Sequence, residues 1–132
     1  MIDAGGNIPL ISIVDDDASV RKAMANLVRS IGFAVRSFDS ADQYLSSAER
    51  HQTACIVSDI QMAGTSGLDL QSNLAAQDDP TPIIFITTFP RPEIKKRALD
   101  AGAFCFLSKP FDGQMLIKCI KDAVKGREHS HC

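Results

Sequence analysis

The stretch IPLISIV, residues 8–14, followed directly by Asp15, Asp16 and Asp17, decides the fold that this sequence predicts. A short apolar run of this kind indicates a buried strand, so the three carboxylates lie at its carboxyl end. Later apolar runs deliver polar residues in the same way, namely 54–58 before Asp59, 83–86 before Thr87 and Thr88, and 104–108 before Lys109 and Pro110. If these strands are parallel neighbours, their ends converge on one crevice, where open α/β sheets bind ligands.

Helical periodicity alternates with these strands. Val20, Met24, Leu27 and Ile31 keep one face of the first predicted helix apolar, and Gly32 predicts its end. Residues 33–35 predict the second strand. The sequence therefore begins with a strand, a helix and a second strand in strict order.

The remaining helices are marked by their end signals. Ser40 with Gln43 fits a capping box that opens a second helix, which we predict to run to about residue 49. Residues 67–76 predict the third helix, Pro92 opens a fourth, and Asp112 caps the last. Five βα units in alternation predict an α/β fold, a (βα)5 doubly wound sheet of five parallel strands with helices on both faces.

Length and composition fit one ordinary globular domain. The chain has 132 residues, of which 45% are hydrophobic and 23% charged. A net charge of -2 gives this domain no electrostatic reason to bind nucleic acid, and no apolar stretch predicts a membrane span or a signal peptide. We expect a cytoplasmic domain over residues 8–126, an N-terminal extension over 1–7 and a C-terminal tail over 127–132.

The cysteines show no metal or redox motif in their spacing. Cys55 and Cys105 fall in predicted strands and Cys119 on a helix face, so we expect buried thiols there. Cys132 ends the chain, and we expect it to be exposed.

The polar residues at the strand ends suit phosphoryl chemistry. Neighbouring carboxylates repel one another unless a cation lies among them, and Mg²⁺ prefers such oxygen ligands. An aspartate can attack phosphorus to form an aspartyl-phosphate, while a lysine and a hydroxyl neutralise and orient the phosphoryl oxygens. Asp17 is equally well placed as the N-cap of the first helix.

In this order and strand context, Asp15, Asp16, Asp59, Thr87 and Lys109 with Pro110 resemble the receiver domain of two-component response regulators. The resemblance spans residues 8–126 and implies a flavodoxin-like sheet of order 2-1-3-4-5. The sequence Val20-Arg-Lys22 and the pair Gly102-Ala103 resemble regulators that respond to oxygen or nitrogen status.

The resemblance also implies a role for each matching residue. Asp59 would be the phosphoacceptor, with Mg²⁺ bound by Asp16, by Asp59, by the backbone carbonyl of Gln61 and, through water, by Asp15. The other implied roles are phosphoryl contact by Thr87 and Lys109, a conformational switch through Thr87 and Phe106, and tuning of dephosphorylation by Gln61 and Phe89.

The resemblance further implies the partners. The phosphodonor would be a cognate sensor histidine kinase or a phosphotransfer protein. The surface of the fourth helix, fifth strand and fifth helix would signal, and a homodimer through this face is possible. The basic residues on this surface either face solvent only or form the surface that binds a partner. They are Lys95, Lys96, Arg97, Lys118, Lys121 and Lys125. The sequence leaves open whether the chain is a stand-alone receiver or the N-terminal piece of a longer regulator.

Two other functions fit parts of the pattern. The segment Val14-Asp-Asp-Asp17 also resembles the Asp-x-Asp motif of haloacid-dehalogenase-type phosphohydrolases, with Asp15 as nucleophile and Asp17 as general acid. Such enzymes need a late acidic pair for the metal, and nothing after Lys109 supplies one at a strand end. A flavodoxin-like flavin binder shares the architecture, but the three carboxylates would repel its phosphate.

Overall fold

The computed structural model describes residues 8–61 and 66–126. The strands are β1 Leu10–Val14, β2 Ala34–Phe38, β3 Thr53–Asp59, β4 Ile83–Thr87 and β5 Cys105–Ser108. The helices are α1 Ala18–Ser30, α2 Ala41–Leu45, α3 Gly67–Ala76, α4 Pro92–Asp100 and α5 Gly113–Val124, with a 3-10 turn at Ala48–Gln52. The predicted extension over 1–7, the tail over 127–132 and Cys132 lie outside the described residues, so the domain boundaries stay a prediction.

The sheet confirms the predicted architecture. Its five strands are all parallel, in the order β2-β1-β3-β4-β5. In the ladders, Val14 lies opposite Ser58 and Thr87 lies opposite Ser108. The carboxyl ends of β1, β3, β4 and β5 are therefore level at one edge of the sheet.

Each face of the sheet has its own hydrophobic core. One cluster includes Ile13, Val57 and Ile86 and packs against Met24 of α1 and Ile120 of α5. The other lies on the opposite face, and its buried side chains include Val14, Ile56, Phe85, Tyr44, Leu70 and Ala98. Alternate residues of β1, β3 and β4 thus enter opposite cores, which explains why these strands are apolar throughout.

The first helix buries a slightly different stripe from the predicted one. Its fully buried residues are Met24, Ala25 and Val28, while Val20, Leu27 and Ile31 are only partly buried at the edge of the core. Its end is as predicted, because Gly32 follows the C-cap with a φ of 98°, a value that glycine adopts without steric cost.

The second strand and second helix differ most from expectation. The strand runs to Phe38 instead of residue 35, since its backbone pairs with β1 as far as Val14. The helix ends at Leu45 and not near residue 49, and the 3-10 turn follows. Buried Arg50 in that turn bonds to Gln77, a contact from another part of the chain that local periodicity does not encode.

The predicted burial of three cysteines is confirmed. Cys55, Cys105 and Cys119 are each 0% exposed, and the Sγ atoms of Cys105 and Cys119 lie 2.7 Å apart. Burial raises the pKa of the Cys55 thiol, and it raises the pKa of Cys119 to about 11. In the part of the chain that the structure describes, no helix has the length and apolarity needed to span a bilayer.

Candidate functional site

The predicted site residues meet at the carboxyl edge of the sheet. Asp15 directly follows β1, Asp59 ends β3, Thr87 ends β4 and Lys109 directly follows β5. The backbone N–H of Lys109 donates to the carbonyl of Thr87 at 2.7 Å, which brings these two strand ends together. The side chains predicted from separate motifs therefore share one crevice.

Three carboxylates form an oxygen cluster in this crevice. One oxygen each from Asp15, Asp16 and Asp59 lies within 4.8 Å of the others. Asp15 is fully buried and Asp59 is 6% exposed, whereas Asp16 faces solvent. The cluster is thus closed on the protein side and open where a hydrated ion would enter.

The donor set fits a magnesium ion. Asp15 Oδ2 is buried and accepts no hydrogen bond of ordinary geometry from the described residues, although the Nζ of Lys109 lies 2.9 Å away as an ion pair. This one lysine charge faces three neighbouring carboxylates, so the cluster keeps a negative charge that a bound cation would offset. Mg²⁺ binds through one or two carboxylates and keeps several waters, which matches this half-open cluster.

Asp59 is held by two donors. Its Oδ1 accepts from the backbone N–H of Gln61 at 3.1 Å, and its Oδ2 accepts from the Nζ of Lys109 at 2.9 Å. Burial raises the pKa of Asp59, and the bonds from Lys109 and Gln61 only partly oppose that rise. A carboxylate that is desolvated yet fixed in direction is well prepared to act as a nucleophile.

Lys109 bridges two of the carboxylates. Its Nζ lies 2.9 Å from Oδ2 of Asp15 and 2.9 Å from Oδ2 of Asp59. Burial acts to lower the pKa of Lys109, but the two carboxylates outweigh it and raise that pKa. The ammonium group is therefore a fixed positive charge in the crevice.

Glycine is required where α3 begins beside Asp59. A Cβ on Gly67 would overlap the backbone carbonyl oxygen of Asp59, and the N–H of Gly67 donates to the carbonyl of Ile60 at 2.9 Å. The helix N-terminus, capped by Ser66, consequently packs directly against the end of β3. This close approach fixes the backbone that carries Asp59.

Thr87 is at the predicted place, and its hydroxyl oxygen accepts a hydrogen bond from the backbone. Thr87 is 1% exposed, and its Oγ1 accepts from the N–H of Phe89 at 3.2 Å. Phe106 is 4% exposed and packs in the core with Ala98. The ring is therefore already buried in the unphosphorylated protein, and the switch through Thr87 and Phe106 stays a prediction.

Phe89 and Gln61 lie at the mouth of the crevice. Both line a cavity of 550 Å³ together with Asp16, Arg91 and Ile94. The Phe89 side chain is 61% exposed, so it borders the entrance without closing it. A second groove, of 530 Å³, is lined by Arg50, His51 and Asp79, near the opposite edge of the sheet and away from the carboxylates.

The structure gives roles to two residues beside the carboxylates. The sequence left the role of Asp17 open, and it did not predict the contact of Arg21. Asp17 is the N-cap of α1, since its Oδ1 accepts from the N–H groups of Ser19 and Val20. Arg21 entered the sequence analysis only as part of Val20-Arg-Lys22, without a role; its Nη1 donates to the carbonyl of Asp15 at 2.6 Å. The available signal was its spacing, because a residue four after the N-cap lies over the first helical turn.

Comparison with known proteins agrees with this geometry. Residues 11–121 match the family model described as "Response regulator receiver domain". Nodulation protein W of Bradyrhizobium diazoefficiens is 40% identical over 116 residues, which cover 88% of this chain and 51% of that protein. The chain thus spans about half the length of the first curated relatives that it matches.

Solved structures of response regulators also superpose on this chain. The response regulator StyR superposes with a TM-score of 0.80 at 40% identity, covering 91% of this chain and 61% of that one. The structure described as FixJ-N superposes with a TM-score of 0.82 at 32% identity, covering 95% of this chain and 96% of that one. The similarity therefore extends over nearly all the residues that form the crevice.

Proposed function

The chain belongs to the receiver-domain family of two-component response regulators, and on that premise we propose that it accepts a phosphoryl group on Asp59 in a Mg²⁺-dependent reaction. The observation that supports this choice most is the environment of Asp59. Its carboxylate is buried, bonded to Lys109, and part of the three-carboxylate cluster. Asp15 lies in the same cluster, but it is fully buried, whereas Asp59 is 6% exposed.

The metal would be held by the residues that the resemblance implies. Asp16 and Asp59 would bind it directly, together with the backbone carbonyl of Gln61, and Asp15 would act through a bound water. When bound, Mg²⁺ supplies positive charge that offsets both the carboxylate repulsion and the charge of the phosphoryl oxygens.

The transfer itself would use this chain's own groups. An oxygen of Asp59 forms a bond to phosphorus as the bond from phosphorus to the donor's histidine nitrogen breaks, and the imidazole leaves. Lys109 then exchanges its bond to the Asp59 carboxylate for one to a phosphoryl oxygen. The Thr87 hydroxyl leaves its bond with Phe89 and donates to another phosphoryl oxygen.

We also propose a conformational switch through Thr87 and Phe106, and the proteins that supply or receive the signal. Movement of Thr87 would be coupled to β5 through its backbone bond with Lys109, and Phe106 would rearrange from its buried position. A histidine kinase or phosphotransfer protein in the cytoplasm would supply the phosphoryl group. A homodimer through the face of α4, β5 and α5 stays a prediction, and Lys96 there already pairs with Asp100 at 2.7 Å.

The two alternative functions are not favoured. In a hydrolase, Asp17 would be the general acid, but its carboxylate caps α1 and is bonded to backbone N–H groups there. The family match and the similar proteins reported above are response regulators, which favours the receiver function over both alternatives.

The proposal is tested by transfer from a small-molecule phosphodonor. Incubation of the protein with an acyl phosphate and Mg²⁺ is expected to add one phosphoryl group to the intact protein, as measured by mass. Chelation of Mg²⁺ is expected to abolish the addition. Equal labelling with and without the chelator would contradict the metal requirement.

A further inference from the structure

Arg21 folds back from the first helix onto the acidic turn. Its own N–H donates to the carbonyl of Asp17 at 2.9 Å, as a residue in the first turn of a helix does. Its guanidinium Nη1 then reaches the carbonyl of Asp15 at 2.6 Å. Arg21 is half-buried, so part of it packs against the protein and part is exposed to solvent.

The carbonyl that Arg21 contacts belongs to the peptide that joins the two acids. A peptide unit is planar, so holding this carbonyl also fixes the direction in which the chain enters Asp16. From the other side, Asp15 Oδ1 accepts from the N–H of Asp17 at 2.8 Å. The N–H of Asp15 also donates to the carbonyl of Phe38 at 3.1 Å, so the bond from Arg21 adds to contacts that already hold the start of the turn.

We propose that Arg21 is a positioning residue that holds the Asp15–Asp16 peptide so that both carboxylates point into the metal site. This inference rests on the proposed function, because it assumes that the cluster binds Mg²⁺. The clustered carboxylates repel one another, and that repulsion favours opening of the turn when no ion is bound. A restraint on the backbone keeps the ligand set in place before the ion arrives.

The direction in which Mg²⁺ affinity changes when Arg21 is removed distinguishes a positioning role from an effect of its charge alone. A guanidinium near a divalent cation repels it, so an Arg21 that acted only through its charge would weaken Mg²⁺ binding. Removing that charge would then strengthen binding. If Arg21 positions the ligands, its removal weakens binding even though one positive charge has been lost.

The test compares Arg21→Met with Arg21→Lys, Arg21→Gln and the neighbour Lys22→Met in the full chain. Lys22 is exposed on the same helix, so its variant removes the same charge without the contact to Asp15. We expect Arg21→Met to weaken Mg²⁺ binding about tenfold, in line with other residues that orient metal ligands. We expect Arg21→Lys and Arg21→Gln, which keep an N–H donor, to recover much of that loss, and Lys22→Met to bind as the parent does.

Two further measurements accompany the titration. Unfolding of each metal-free variant shows whether the fold is intact, and Arg21→Ala, which also lacks a side-chain N–H donor, replaces Arg21→Met if the latter does not fold. Hydrogen exchange at the Asp17 amide, which bonds to Asp15, is expected to be faster in Arg21→Met than in the parent.

The outcomes are distinct. Equal or tighter Mg²⁺ binding by a folded Arg21→Met protein, with unchanged exchange at Asp17, would overturn the inference and leave the proposed function intact. If the parent itself binds no Mg²⁺, the proposed function fails first. Weaker binding by Arg21→Met with normal binding by Lys22→Met supports the positioning role.

Discussion

The ammonium nitrogen of Lys109 lies 2.9 Å from Oδ2 of Asp59, the carboxylate that we propose as the phosphoacceptor. The same nitrogen is equally close to Oδ2 of Asp15, so one positive charge offsets two buried carboxylates. This arrangement keeps Asp59 in place while the protein is unphosphorylated. It also places a cation where the phosphoryl oxygens would arrive.

Replacing Lys109 by methionine is expected to slow phosphorylation of Asp59 by about a hundredfold, because one preorganised charge is lost at the transferring group. The measurement is the rate of acyl-phosphate-dependent labelling at saturating Mg²⁺. Lys118→Met, a charge loss at an exposed position of α5, serves as the control. Equal rates for the parent and Lys109→Met would show that Lys109 takes no part in the transfer.

Replacing Asp59 by asparagine is expected to stabilise the metal-free protein at neutral pH. Burial raises the pKa of Asp59 above its usual 3.8, so ionised Asp59 costs folding free energy. For this group, stability is fully present below pH 3.8 and is lost as the pH rises through the higher pKa of the folded state. The advantage of Asp59→Asn should therefore shrink as the pH is lowered towards 3.8.

Unfolding by denaturant over a series of pH values gives this difference, with Mg²⁺ chelated throughout. Asp78→Asn is the matched control, because Asp78 is exposed and asparagine tolerates its φ of 54°. An advantage of Asp59→Asn that does not change with pH would mean that ionisation of Asp59 is not its cause.

Phe89 is expected to slow the decay of the aspartyl-phosphate. Its ring borders the entrance beside Gln61 and offers no hydrogen bond to an attacking water. Phe89→Glu should hasten phosphate release about tenfold by orienting that water, and Phe89→Ala should hasten it less. Met115→Ala, another exposed apolar residue but on α5, is the control for phosphate release from preloaded protein. Unchanged phosphate release in both Phe89 variants would show that Phe89 does not slow the decay of the aspartyl-phosphate.

Gln71 is expected to anchor α4 to α3. Its buried Nε2 donates to the carbonyl of Ala98 at 3.0 Å, near the end of α4. Gln71→Met should lower the free energy of unfolding by about 1–3 kcal/mol, since the variant loses this buried bond. Asn73→Ala removes an exposed side-chain bond of the same helix and should cost far less. If both variants lose the same free energy of unfolding, the buried bond between α3 and α4 contributes no more to stability than the exposed one.

Much of the site could be predicted because it depends on short-range patterns. The apolar runs before Asp15, Asp59 and Lys109 identify buried strands, and a parallel sheet aligns the ends of such strands. The predicted caps at Ser40 and Asp112 depend only on residues within one turn.

The features that could not be predicted depend on contacts between distant residues or on side-chain direction. The 3-10 turn after α2 is tied by the contact of Arg50 with Gln77, far along the chain. Arg21 would look like a solvated basic residue unless its rotamer were known. The burial of Phe106 likewise depends on how α4 packs on β5, which periodicity alone does not fix.

The identity of the phosphorylated residue decides whether Asp59 is the phosphoacceptor. The parent and Asp59→Asn are each treated with an acyl phosphate and Mg²⁺, and the acyl phosphate is then trapped by reduction and mapped by peptide mass. We predict that the modification lies on Asp59 in the parent and is absent from Asp59→Asn. Modification of Asp15, or undiminished labelling of Asp59→Asn, would contradict the assignment of this crevice as a receiver site.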